Sequence, residues 1–464
     1  MILVLLAGCS PTPPNAPETT ATSPAASGAQ GTATPTHRKT PTPQKNRPIT
    51  QLEVTASDLE GLEVVFWHSW DGQSGEVLNR LVEEFNRENK WAVRVRAEYQ
   101  GTLDQLDDRV RRLAEVDQKP TLVAAYLYQA LNWDSQAQLT PLDMYVNDPL
   151  WGLSEQEQAD FYPAIWQADV IQGERWGVPA FRSGQFLYYN ETWGRELGFN
   201  HAPQNWGQLE QQVCAAAKAL LADDNRTNDG RGGAAITTDY SASLSWMAAA
   251  GAEPVAGSGE YQFDTPQVVD TFEALRKLAE DGCAWLVEGE SPVDIFASRQ
   301  SLITTGSLLE APALERTLEL TGSRDRWRLL PFIGAAAEAT FLHYGPDYVI
   351  LSSTPEEELA GWVFVRWMLS PERQARWIAA SGGLPLQRSA AEDLSDYANR
   401  HPHWGEAVAL LPGAQAEPTQ ASWKTVRWAV SDATVQLFRY YFSLDQVPEL
   451  AELLDETAQE LNAR

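Results

Sequence analysis

Between Leu62 and Tyr126 two periodicities alternate, and that alternation limits the possible folds more than any other feature of the chain. Leu62-Glu63-Val64-Val65-Phe66-Trp67 is a short β-prone run that ends in the polar, glycine-containing turn His68-Ser69-Trp70-Asp71-Gly72. Directly afterwards Val77, Leu78, Leu81, Val82 and Phe85 recur at helical spacing, with Glu83, Glu84, Asn86 and Arg87 on the other face. Residues 92–97 alternate as a strand, 103–116 suit a second helix, and 121–126 form a third, continuously apolar strand. Strand, helix, strand, helix, strand predicts a parallel sheet covered by helices on both faces, an α/β fold.

In such sheets ligands sit beyond the carboxyl ends of the strands. The first strand end offers Trp67, His68, Ser69 and Asp71, the second Tyr99 and Gln100, and the third Tyr126. Ser69 and Asp71 are expected to hydrogen-bond a ligand, and the tyrosines to supply a ring with a polar tip. His68 has two readings, a donor to a ligand hydroxyl or a satisfied core imidazole. No neighbours supply the further ligands that a metal site requires.

Composition narrows the partners. A net charge of -28 argues against nucleic acid, whose phosphates must be neutralised by Lys and Arg. Three cysteines make neither a disulfide framework nor a thiolate metal cluster. Free buried thiols are the expectation for Cys214 and Cys283, with a single bridge as the alternative. The 18 Trp are mostly expected in packing, with a few rings free to stack on the apolar faces of a sugar.

The N-terminus has its own signature. Residues 3–9 read Leu-Val-Leu-Leu-Ala-Gly-Cys, which resembles the lipobox of a bacterial lipoprotein precursor, although no Lys or Arg precedes the apolar run. That resemblance implies a leader over 1–8, lipidation at Cys9 and a mature protein tethered outside the cytoplasmic membrane. From 9 to 58 the chain is rich in Pro, Thr, Ala and Ser, a composition too poor in apolar surface to fold, and a disordered linker is expected.

Further motifs follow in a fixed order. "VVFWHSWDGQSGEVLNRLVEEFNREN", "VRAEYQGTLDQL", "WGVPAFRSGQFLYYNETWGRELGF", "APQNWGQLEQ", "IFASRQSLITTGSLLEAPAL" and "GPDYVILSSTPEEELAGWVFVRWMLSPERQARWIAASGGLPLQRSA" together resemble the extracellular solute-binding proteins of ABC importers, in the family of maltose, multiple-sugar and glycerol-3-phosphate binding proteins. The resemblance implies two α/β lobes joined by crossing segments, with ligand in the cleft between them. The first lobe would take 59–181 with 345–386 and the second 184–342 with 388–464, crossing near Arg182, His343 and Pro385. Arg182, at the first crossing, departs from the small or polar residue usual in the family, and a cation there is expected to line the cleft and grip a carboxylate, a phosphate or paired hydroxyls. Trp246 would be an aromatic platform, Gly345 and Asp347 would open the strand after the second crossing, and Ser381 and Gly382 would approach ligand before the third. Arg427 stands where glycerol-3-phosphate binders look to hold an anion.

Two competing chemistries are weaker. Asn225 to Gly230 tempts a calcium-loop reading, but Ile236 stands at the twelfth position where a bidentate Glu is needed, so an Asx-rich turn explains it better. A lipid-anchored glycoside hydrolase would share the composition, yet no nucleophile elbow, Walker loop or metal spacing is present. The sequence therefore predicts a monomeric, lipid-anchored capture protein without cofactor or catalysis, delivering a small solute to an ABC permease. Carbohydrate is favoured over glycerol phosphates.

Overall fold

The computed structural model describes residues 50–115, 118–133, 137–334 and 340–463; the leader, Cys9 and the linker as far as residue 49 lie outside the described residues. Two mixed sheets, each flanked by helices, form two α/β lobes. Among the described residues the strands run in chain order as β1 (Glu63–His68), β2 (Arg94–Tyr99), β3 (Leu122–Ala125), β4 (Val170–Ile171), β5 (Glu174–Arg175), β6 (Val178–Pro179), β7 (Ser183–Asn190), β8 (Gly232–Ile236), β9 (Ala284–Leu286), β10 (Ser301–Ser307), β11 (Trp327–Leu330), β12 (Phe341–Tyr344), β13 (Asp347–Ile350) and β14 (Ala414–Ala416).

The first sheet has the order β2-β1-β3-β13-β6, parallel across β2-β1-β3 and antiparallel at β13. Helix α1 (Gly72–Glu88) buries Leu78, Leu81, Val82 and Phe85 in its core. Each such side chain contributes about 1.5–3 kcal/mol by leaving water. Helix α2 (Leu103–Val110) begins at a capping box between Thr102 and Gln105 and stops short of the expected 116, giving way to a 3-10 turn over Leu113–Glu115. The second strand also starts later than its alternation suggests, because Ala92 adopts a left-handed φ of 55° that breaks the extended run.

The second sheet has the order β14-β12-β7-β10-β8-β9, with β11 added against β7. Strand β7 is buried over all eight residues and follows the first crossing directly. On this sheet's outer face the helix Trp206–Leu221 brings Cys214 beside Cys283, and the two form a disulfide across a separation of 69 residues. The free thiols expected from the sequence are thus paired, because the packing of helix on strand places them with Cα atoms 4.5 Å apart.

The end of the expected linker is also folded. Leu52 and Val54 enter the first core, and Thr50 Oγ1 and the Gln51 amide donate to Asp148 Oδ2 at 2.7 and 2.8 Å. Among the described residues no helix is long and apolar enough to cross a membrane.

Three segments pass between the sheets and are tied to one another. The amides of Ala180 and Phe181 donate to the Pro346 carbonyl at 3.1 and 3.2 Å, and the Leu384 amide donates to the Arg182 carbonyl at 2.7 Å. Gly345 sits at φ 154°, and a Cβ there would lie 2.2 Å from the Phe181 carbonyl oxygen, so the two crossings meet backbone to backbone only because this residue is glycine.

Candidate solute-binding cleft

The crossings converge on a buried ionic knot. Arg182, 2% exposed, donates from Nη2 to Asp169 Oδ1 at 2.9 Å and Asp347 Oδ1 at 2.5 Å. Its Nη1 donates to the carbonyls of Phe181, Gly345 and Pro346 at 3.0 to 3.2 Å. Burial alone would discourage the charge, but the two carboxylates outweigh it and hold the Arg182 pKa above its ordinary value. Arg182 and Asp347, expected to meet solute, satisfy each other instead. The guanidinium has little left to offer a ligand.

Beside this knot, a cavity of about 290 Å³ opens between the lobes. Its wall includes Ser69, Trp70 and Ser74 from the start of α1, Tyr126 at the end of β3, Phe181 and Ser183 at the first crossing, Tyr344, Gly345 and Pro346 at the second, and Ser381 before the third. The hydroxyls of Ser69, Ser183 and Ser381 are buried there without a hydrogen-bond partner. The Tyr344 hydroxyl lies beside Ser183 without completing a well-formed bond. Three orphaned hydroxyls in one cavity are costly unless a ligand satisfies them. No charged side chain lines this space.

A second cavity, of about 450 Å³, lies against the second lobe. Thr237, Thr238, Asp239 and Tyr240 reach it from the end of β8, Thr305 and Gly306 from β10, Glu310 from the turn after β10, and Trp428 and Ser431 from the helix Trp423–Leu437. The cavities adjoin along the chain. Ser183 lines the first and Gln185 the second, two residues apart on β7 and hence on one face.

The remaining sequence-predicted residues divide clearly. Tyr126 lines the first cavity, stacks on Tyr128 at 5.1 Å and 18°, and also borders a small cavity of about 30 Å³ beside the ionic knot, together with Gly345, Asp347 and Glu417. Burial raises the Glu417 carboxyl to about 7. Gly382 falls in a separate recess of about 70 Å³. Trp67 is in the core with its indole N–H on Glu98 Oε2 at 2.9 Å. Asp71 is exposed and precedes α1 without a side-chain capping bond. Tyr99 is half exposed, and Gln100 donates to Glu98 Oε2 at 3.3 Å; neither borders the two cavities.

Trp246 is enclosed between Trp206 and Phe332 in the second lobe's core, because every residue from Ser241 to Ala249 on its helix is buried. It provides packing rather than a platform. Arg427 bonds the hydroxyls of Tyr128 and Tyr240 and stays behind the cavity wall. His68 is a core imidazole whose Nδ1 accepts the Trp70 amide at 3.3 Å. In the loop 223–230 Asp223 and Asn225 side chains accept amides two residues on, as Asx turns do.

Sequence reasoning missed Trp70, Ser183, Gln185, Asp239, Tyr240, Glu310 and Trp428. The strand-end rule applied to β8 and β10 would have found Asp239 and Glu310. Ser183 and Gln185 carried a different signal, polar residues in a strand otherwise apolar enough to be buried.

Two lobes around a cleft with orphaned polar groups are the architecture of a solute-binding protein. The profile of bacterial extracellular solute-binding proteins matches residues 80–436, and the chain belongs to that family. It is a substrate-binding protein and not an enzyme. It is 20% identical over 348 residues to the sn-glycerol-3-phosphate-binding periplasmic protein of Pectobacterium atrosepticum, covering 73% of this chain and 76% of that one. The cyclic alpha-maltosyl-1,6-maltose binding protein of Arthrobacter globiformis has the same fold, with a TM-score of 0.73 at 18% identity over 87% of this chain and 100% of that one. The Mycobacterium tuberculosis protein UgpB, solved with glycerophosphocholine, follows at 0.67 and 17% identity over 87% and 98%.

His68 gives a test of the site's packing. Burial lowers its pKa from 6.5 to about 4, so the unfolded chain takes up a proton that the folded chain refuses. Stability should therefore fall as pH drops from 6.5 towards 4, with His68 contributing about 1.4 kcal/mol per pH unit within that window. Denaturant unfolding of His68→Gln across that range should show a slope shallower by that amount; an unchanged slope would mean that His68 titrates alike in both states.

Proposed function

We propose that this chain captures a sugar or oligosaccharide outside the cytoplasmic membrane and hands it to the permease of an ABC importer. The observation that carries this is the cavity of about 290 Å³ in which three partnerless serine hydroxyls face the rings of Trp70, Phe181, Tyr126 and Tyr344. Hydroxyl groups and hydrophobic ring faces are what a sugar presents in alternation, and such a wall answers both. The lobes would be residues 59–181 with 345–386 and 184–342 with 388–464, hinged at the tied crossings. The Arthrobacter protein of the same fold binds cyclic alpha-maltosyl-1,6-maltose, a ligand of the same class.

A second reading, glycerol phosphate or a glycerophosphodiester, is supported by the names of the Pectobacterium and Mycobacterium relatives. Against it, neither large cavity is lined by Lys, Arg or His, and Arg182 and Arg427 are engaged elsewhere. A dehydrated phosphate needs such a partner.

Calorimetry of the full chain against oligosaccharides and glycerophosphodiesters separates the two. A sugar should bind, and Ser183→Ala should weaken it by about 0.5–1.5 kcal/mol, the loss of one neutral hydrogen bond. Binding of a glycerophosphodiester with no response to any sugar would overturn the carbohydrate reading.

Lipid anchoring at Cys9 completes the proposal, since a capture protein held at the membrane stays near its permease. Cys9→Ala should move the protein from the membrane to the soluble fraction with its melting temperature unchanged; membrane retention of that variant would remove the lipobox from the account.

A further inference from the structure

We propose that the second cavity receives a positively charged nitrogen of the solute, so that the natural ligand is a hydroxylated, sugar-like molecule bearing a protonated amine or ammonium. This deepens the carbohydrate reading and rests on it.

The charged side chains that line this cavity are all acidic. Asp239, Glu290 and Glu310 line it, and no Lys, Arg or His is among the lining residues. Glu290 is neutralised by Arg231 at 2.7 Å. Asp239 and Glu310 have no ion-pair partner among the described residues.

Both carboxylates are held in place by backbone. Glu310 Oε2 accepts the Ser307 amide at 2.7 Å in a capping box, and Asp239 Oδ1 accepts the Ala242 amide at 3.0 Å as the N-cap of the helix Tyr240–Ala249. Both stand at helix N-termini, Asp239 before Tyr240–Ala249 and Glu310 before Ala311–Thr321, which offset part of each charge.

Gln185 gives an independent sign of a ligand. It is 6% exposed, lines the cavity, and donates from Nε2 to Asp239 Oδ1 at 3.2 Å. That bond fixes the amide's orientation and leaves the buried Oε1 without a donor. An ammonium group, which has donors and no acceptor, matches this carbonyl and both carboxylates together.

The obvious objection is Arg427, whose guanidinium lies 5.2 Å from the Tyr240 ring and 5.1 Å from the Trp428 ring. It already occupies the electrostatic attraction of those rings, so the carboxylates and not cation–π contact must select the charge. Trp428 is 56% exposed and remains able to cover an apolar ring face. The adjoining first cavity has no charged lining and takes the neutral, hydroxylated part of the same molecule.

Three disaccharides of one linkage, differing only at the 2-position, isolate the charge: cellobiose, N,N′-diacetylchitobiose and the corresponding diamine. Glucose, N-acetylglucosamine and glucosamine make the matched monosaccharide set. Calorimetry on the full chain near pH 6, where sugar amines are protonated, should show the amine binding at least about tenfold tighter than its hydroxyl counterpart. Raising the salt concentration should erode that preference. Glu310→Gln and Asp239→Asn retain the backbone caps and should each collapse the amine-to-hydroxyl ratio.

Equal or tighter binding of the neutral sugar overturns the inference and leaves the carbohydrate reading standing. A ratio unchanged in both variants overturns the role of the carboxylates. Binding of glycerol 3-phosphate with no response to any of the six sugars, or no binding at all, overturns both.

Discussion

The crossings between the lobes are tied together at one residue, the first two through its side chain and the third through its backbone carbonyl. Arg182 links the carboxylates of Asp169 and Asp347 and the carbonyls of three crossing residues in a space closed to water. Removing the guanidinium would strand two buried carboxylates and several carbonyls together, the costly way to break a buried pair. Asp169 and Asp347 are both shifted upward by burial despite their partner, which indicates how dry the site is.

The cleft inherits its chemistry from that arrangement. Because β6 runs into β7 through Arg182, Ser183 emerges on the neutral side of the cleft and Gln185 on the acidic side. The two cavities therefore present different surfaces: serine hydroxyls and rings in the first, carboxylates and an amide carbonyl in the second. Neither surface is complete alone. Closure brings their partnerless groups onto the same molecule, which is how differential contact between open and closed states would drive the hinge.

Much of this architecture is legible in the residue pattern, and the rest is hidden for specific reasons. The alternation from Leu62 to Tyr126 gives β1, α1 and β3 because each element has one clean period. The start of β2 was displaced by a single left-handed residue, Ala92, for which propensity gives no warning. Arg182 reads as a free cation in sequence because its partner Asp347 is 165 residues away. Trp246 reads as a platform because a helix buried on every side has no polar face to reveal its position. Cys214 and Cys283 pair through a helix-on-strand contact that spacing alone cannot signal. Ser69, Tyr126 and Ser381 could be located because strand and helix ends point into the cleft whatever the tertiary detail.

The central claim is that the lobes close around a solute while the Arg182 cluster stays fixed. Small-angle X-ray scattering of the full chain, without solute and with a saturating sugar identified by calorimetry, tests it most directly. The account predicts a fall in the radius of gyration on binding. Superimposable profiles at saturation would contradict it.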